Sequence, residues 1–323
     1  MAFRKPATKL IGAKILAYGG FGSGKTLFAL SFPNSAAIDA ENGITNYEHS
    51  ERGKNLVLVD NSQSFKELED SIDYISDNHK KEGVKSLIVD SETKIYNNIE
   101  QAVMTIEEKR ARKKGREIDD TNLSMRSYGR IRYVGTKLQN LKIDLTSQGV
   151  HMVSVAQAKP IKKKVGEEYV VDHYIPLMNK DAEYDYDIVV FFYREEDIVN
   201  GGYKYFARIE KDRTETYKAG TVVEGGVSYE NWRGYYEKME GTGKEVLGSK
   251  FVDDTAKDHE GYEADSKEEA ESKKAIIGKI MKGLPEDEAA VFKKEFVSIK
   301  VTDFEAMTPT QTKKVDALIA KYS

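Results

Sequence analysis

Short apolar runs alternate with longer polar, amphipathic stretches along the first two-thirds of the chain. The runs are AKILAY (13–18), SAAIDA (35–40), NLVLVD (55–60), SLIVD (86–90), VHMVSVAQ (150–157) and DIVVFFY (187–193). Continuous runs of this length suit strands covered on both faces, and the segments between them are helix-like. The pattern predicts an α/β fold with a mostly parallel, doubly wound central sheet. A further run, YKYFARIE (203–210), faces DIVVFFY across Asn200-Gly201-Gly202, which predicts a β-hairpin extending the sheet edge.

The pattern changes after about Gly241. Residues 241–273, including FVDDTAKDHEGYEADSKEEAESKK, are polar, mostly acidic and poor in large apolar side chains. A solvated linker is expected there, with a surface helix from Ser266 as the alternative. Helical periodicity then returns: Ile276, Ile277, Ile280 and Met281 fall on one face, as do Val315, Leu318 and Ile319. Thr308-Pro309 offers a cap residue before a first-turn proline. Three regions follow: a core over 1–240, a linker over 241–273 and a small helical module over 274–323.

Composition narrows the function classes. In 323 residues, 54 acidic side chains outnumber 50 basic ones for a net charge of −4, so any surface for a polyanion is local. There is no cysteine, which excludes disulfides, thiolate metal sites and cysteine nucleophiles. Nothing runs apolar for signal-peptide length or for the roughly 20 residues of a membrane span. The expectation is a cytoplasmic protein with no membrane partner.

The chemistry enters where the first run ends. Gly19, Gly20, Phe21, Gly22, Ser23, Gly24, Lys25 and Thr26 satisfy GxxxxGK[ST], and Leu27 opens the apolar, helix-like segment that follows. Such a loop turns its backbone N–H groups around phosphate oxygens, and the helix start adds the positive end of its dipole. Glycines permit the close approach and the backbone angles. Lys25 is placed to reach the β- and γ-phosphates of ATP, and Thr26 to ligate Mg²⁺. Asp90, at the end of the apolar strand SLIVD, is the matching acidic residue for the metal. Hydrolysis further needs a carboxylate that orients water; Glu41 and Glu92 are the two candidates.

From here the chain resembles the RecA-like recombinases. In AIDAENG (37–43) the Asp-Ala-Glu run is similar to the strand end that carries the family's catalytic glutamate, which favours Glu41 over Glu92. Gln157 stands where RecA-like proteins place a γ-phosphate sensor. The resemblance implies two basic DNA-binding loops. One contains Lys109, Arg110, Arg112, Lys113, Lys114 and Arg116, the other Lys159, Lys162, Lys163 and Lys164, with Tyr128 and Tyr169 near enough to stack on bases. Lys211 and Arg213 resemble the Lys-x-Arg element that RadA and DnaB relatives insert into a neighbour's ATP site, the alternative being a surface ion pair with Glu210 or Glu215. A trans-acting element implies a homo-oligomer, ring or filament.

Over residues 10–235 the chain looks most like compact phage-encoded RecA-like ATPases of the AAA_24 type, some of which are single-strand annealing proteins of the Sak-four type. The resemblance implies an ATP-hydrolysing, single-stranded-DNA-binding recombination protein in the host cytoplasm. Its helical tail would engage a single-strand-binding protein. The alternatives are a nucleotide-switched protein binder and a helicase or helicase-loader motor, and fold alone does not choose among them.

Overall fold

The computed structural model describes residues 11–62, 64–113, 123–242, 273–301, 304, 307 and 309–322. The chain divides into two compact units, Met1–Ser249 and Lys250–Ser323.

The first unit is built on a sheet of nine strands among the described residues, in the order β3-β2-β4-β5-β1-β7-β8-β9, with β6 paired to β5 off this path. The strands are β1 (Lys14–Gly19), β2 (Ser35–Asp39), β3 (Leu56–Asp60), β4 (Ser86–Asp90), β5 (His151–Val165), β6 (Glu168–Leu177), β7 (Ile188–Glu196), β8 (Tyr203–Asp212) and β9 (Val222–Glu224). All pairings among β1 to β5, and that of β1 with β7, are parallel, while the β5–β6, β7–β8 and β8–β9 pairings are antiparallel. The β7–β8 hairpin extends the sheet edge, as expected.

Helices cover both faces, so the strands need apolar side chains at consecutive positions. One face packs α1 (Lys25–Ala29) and α5 (Glu230–Thr242) through Phe28, Trp232 and Tyr236 onto Ile15, Ala17, Val153, Val155 and Val190. The other packs α2 (Phe65–Glu82), α3 (Glu92–Lys113) and α4 (Met125–Ser147) through Leu68, Ile72, Ile95 and Leu138 onto Ile38, Leu87 and Val89. Each such side chain, taken fully out of water, contributes about 1.5–3 kcal/mol. α2 begins where Ser64 accepts a hydrogen bond from Glu67 N and stops at Gly83, whose φ of 68° suits glycine.

Two expectations need correction. The stretch from Lys159 to Val165 is not a turn-rich loop: β5 continues through it and pairs with β6 as a ribbon exposed over most of its length. Lysines served by solvent on both faces need no apolar alternation, so the strand left no periodic signature. Lys109, Arg110 and Arg112 do not lie on a loop either; they occupy the last turns of α3. Lysine and arginine are good helix formers and are favoured near a helix carboxyl end. The side chain of Lys113, and all of Lys114 and Arg116, lie outside the described residues.

α3 and α4 form an antiparallel pair. Glu92 and Lys142 meet at one level, and Ser127 Oγ donates to Glu107 Oε1 at the other. α4 ends beside the start of the sheet, where Thr146 O accepts from Gly12 N. From Glu92, at the carboxyl end of β4, α3 therefore runs away from the sheet, and α4 returns. The basic end of α3 and the β5–β6 ribbon lie beyond the same edge.

The second unit comprises helical residues 273–283 (α6), α7 (Glu286–Ile299) and α8 (Pro309–Tyr322). Ile277, Phe292, Val315 and Leu318 form its core, with Ile280 and Ile319 packed against them. Of the four residues expected to share a face of α6, Ile276 and Met281 are partly open to water, 37% and 41% exposed. Pro309 opens α8 as expected, whereas Thr308 and nearly all of the proposed linker, residues 243–272, lie outside the described residues.

Candidate functional site

The phosphate loop lies between β1 and α1 at the carboxyl edge of the sheet. Glycine is required at Gly19 by close approach, since a Cβ there would sit 2.0 Å from Phe192 O, and at Gly24 by its φ of 102°. Ser23 turns inward and donates to Gly20 O at 2.8 Å. Lys25 Nζ donates to the same carbonyl at 2.6 Å, and burial pushes its pKa down. A half-buried cation held by a neutral carbonyl is poised to exchange that contact for a phosphate oxygen.

Thr26 Oγ1 donates to Asp90 Oδ2 at 2.7 Å, joining the first turn of α1 to the end of β4. Burial raises the Asp90 carboxyl to about 6; the Thr26 hydrogen bond opposes this, while Glu41 and Asp39 add to it. A hydroxyl and a carboxylate one hydrogen bond apart form a hard, oxygen-only donor pair, which fits Mg²⁺. Among the described residues no group of three or more His, Cys, Asp or Glu could hold a metal. The remaining ligands would come from nucleotide and water.

Glu41 is exposed on the turn after β2, and its Oε1 accepts from Ser91 Oγ at 2.5 Å and Gln157 Nε2 at 3.3 Å. Its neighbour Asp39 is fully buried and accepts from the backbone N–H groups of Gly43 and Thr45 at 2.9 and 3.0 Å, so it shapes the turn that presents Glu41. Glu92 is committed elsewhere: it is buried, ion-paired with Lys142 and hydrogen-bonded by Ser154 Oγ at 2.6 Å.

Gln157 ends the buried part of β5 beside Gly19. Its backbone N–H donates to Thr93 Oγ1 at 2.8 Å, and Thr93 is itself bound to Leu177 O at 2.6 Å. Beyond it the three consecutive lysines diverge. Register places Lys162 opposite Val171 and Lys164 opposite Tyr169, on one face; Lys163 lies on the other and pairs with Asp172 at 2.6 Å. Tyr169 and Tyr128 are both exposed. Arg110 is paired with Glu107 at 2.6 Å, while Lys109 and Arg112 are exposed.

The Lys-x-Arg element is not brought to the chain's own phosphate loop. β8 is antiparallel to β7, so its end falls opposite Ile188, at the far edge of the sheet from Gly19. Lys211 donates to Tyr184 O and Arg213 to Asp187, both at 3.0 Å, and Asp212 between them accepts from Trp232 Nε1 at 2.9 Å. The expected surface partners Glu210 and Glu215 are not the ones used. Glu210 instead accepts from Tyr18 at 2.5 Å and Arg208 at 2.7 Å.

One part of the site had no sequence signal. A cleft of about 600 Å³ opens beside the loop, lined by Gly24–Phe28, Tyr47, Arg52, Tyr205 and Val227. Its walls, which also include Phe192, come from five separate segments that only the fold brings together. An aromatic and a guanidinium next to a phosphate loop suit a nucleoside base.

A family model described as an AAA domain, AAA_24, matches residues 11–221, well over half of the chain, including the phosphate loop, Glu41, Asp90 and Gln157. The chain belongs to that family. As an AAA_24 domain it is a P-loop ATPase, and the matched segment ends just before β9. No curated protein matches it. Among solved structures it is similar to a KaiC-like protein from the hyperthermophilic archaeon Pyrococcus horikoshii OT3, with 19% identity, 66% of this chain and 85% of that chain covered, and a TM-score of 0.40. Among the described residues, no helix is long and apolar enough to cross a membrane.

Proposed function

We propose that this AAA_24 protein hydrolyses ATP with Mg²⁺, binds single-stranded DNA and promotes annealing or strand pairing as a homo-oligomer. The observation that carries the proposal is the continuity of β5. One strand runs from Gln157, hydrogen-bonded to Glu41, directly into the ribbon that bears Lys159, Lys162 and Lys164.

In this reading the loop amides and Lys25 hold the phosphates, and Glu41 orients the attacking water. Thr26 and Asp90 would hold Mg²⁺, which when bound neutralises charge on the phosphate oxygens. Gln157 registers the terminal phosphate through the same carboxylate that positions water. Since its backbone is fixed by Thr93, a change at its side chain is passed along β5 to the ribbon. Lys162 and Lys164, with Tyr169 opposite Lys164 on β6, offer phosphate contacts and a stacking surface of the kind that binds single strands without sequence preference. Lys211 and Arg213 serve a neighbouring subunit, and the helical unit engages a single-strand-binding protein.

The test is ATP hydrolysis by wild type and Lys25→Ala, with and without single-stranded DNA, at low and moderate salt. DNA-stimulated turnover that disappears in the variant and weakens with salt is expected. Turnover indifferent to DNA in folded protein would overturn the DNA-linked reading and leave a nucleotide-switched protein binder.

A further inference from the structure

We propose that Arg194 is a phosphate-binding residue, supplied by the chain itself, that contacts the terminal phosphate of the nucleotide in its own loop. The inference rests on the nucleotide-binding reading above and adds a cation that no motif marks.

Arg194 lies near the end of β7, and its guanidinium lies over two aromatic rings. It stands 4.8 Å from the centroid of Phe21, in the phosphate loop, and 4.1 Å from that of Tyr203, at the start of β8. Stacking on aromatic rings uses the flat surface of the guanidinium and leaves its N–H edge available for hydrogen bonding. Among the described residues no carboxylate pairs with it. Phe21 is 85% exposed and Tyr203 46% exposed.

That edge is turned towards the loop. A Cβ on Gly22 would come within 3.0 Å of Arg194 Nη1, so the guanidinium lies against the loop backbone at its tip. The register fixes the rest. Gly19 is flanked by Gln157 on β5 and by Phe192 on β7, and Arg194 is two residues past Phe192. A phosphate chain cradled by the loop therefore has Gln157 and Glu41 on one side, Lys25 at the helix start and Arg194 on the other side. In the nucleotide-binding reading a diphosphate would fill the helix start, and the additional phosphate of a triphosphate would be the group within reach of Arg194 at the loop tip.

The experiment measures affinity of the full chain, with Mg²⁺, for a non-hydrolysable ATP analogue and for ADP by isothermal titration. Arg194→Gln is expected to lose about tenfold in affinity for the analogue, the size of one charge-assisted hydrogen bond, and under about twofold for ADP. Tyr203→Leu, which removes one of the two rings without touching the loop, is expected to lose a smaller amount with the same selectivity. Arg194→Lys keeps the charge but not the stacked fork, and should fall between wild type and Arg194→Gln. Equal losses for both nucleotides, or none, in variants whose thermal unfolding matches wild type would overturn the inference while leaving nucleotide binding intact. Failure of wild type to bind either nucleotide would overturn the reading beneath it as well.

Discussion

Thr26 Oγ1 and Asp90 Oδ2 are 2.7 Å apart, so the helix that follows the phosphate loop is tied to the strand two places away in the sheet. The carboxyl that accepts this bond is buried, and its pKa is raised to about 6. The folded state therefore holds a proton that the unfolded chain has released between about pH 4 and 6. The stabilising effect of that proton is complete below the unfolded value and disappears as pH rises through the folded one. Relative to Asp90→Asn, wild type should lose stability on the order of 3 kcal/mol from pH 4 to pH 7. Urea unfolding of both proteins across that range measures it, and parallel curves would show that burial does not control this carboxyl.

The same titration governs the metal. Mg²⁺ prefers the ionised carboxylate, so Mg²⁺-dependent nucleotide affinity should rise between pH 5 and 7 in wild type. In Asp90→Asn this rise should be absent. Nucleotide titrations at fixed Mg²⁺ separate this from any loss of fold.

Glu41 and Glu92 should behave in opposite ways. Glu41→Gln is expected to lower the hydrolysis rate by about 10²–10⁴-fold, the usual contribution of a general base, with stability unchanged. Lys142→Met strands the buried Glu92 carboxylate and should cost about 3–5 kcal/mol of stability, much of it recovered in the Glu92→Gln, Lys142→Met double variant. Steady-state turnover and urea unfolding, measured on all of them, check the assignment.

On the ribbon, Lys162 and Lys164 share a face, whereas Lys163 points away into its ion pair with Asp172. Replacing Lys162 and Lys164 by alanine should weaken single-strand binding and reduce the log–log salt slope by about 1.4. Lys163→Ala should leave the slope nearly unchanged. Fluorescence anisotropy with a labelled oligonucleotide at several salt concentrations distinguishes the two.

Buried strands and the phosphate loop were legible because each imposes a local requirement. Ile88 and Val153 must be apolar to sit between two helical layers, and Gly19 must be glycine beneath the Phe192 carbonyl. The outer half of β5 and the facing part of β6 impose no such apolar requirement, since water reaches most of their side chains. The commitment of Glu92 depends on Lys142, fifty residues away on a different helix, and no local pattern announces that meeting. Arg194 depends on three segments at once: the loop, the end of β7 and the start of β8. Contacts between distant segments belong to packing, and a single chain read in order does not display them.

β5 also sets up a gradient of local stability within one segment. Its first six residues are buried between β1 and β4, while most of those from Ala158 onwards are exposed and paired with β6 alone. Amides of the inner half can exchange with solvent only when the whole domain opens, whereas those of the outer half need only the ribbon to fray. A few residues along the same strand therefore separate hydrogens protected by the full folding free energy from hydrogens that turn over quickly. The boundary between them falls at Gln157, the residue that touches Glu41.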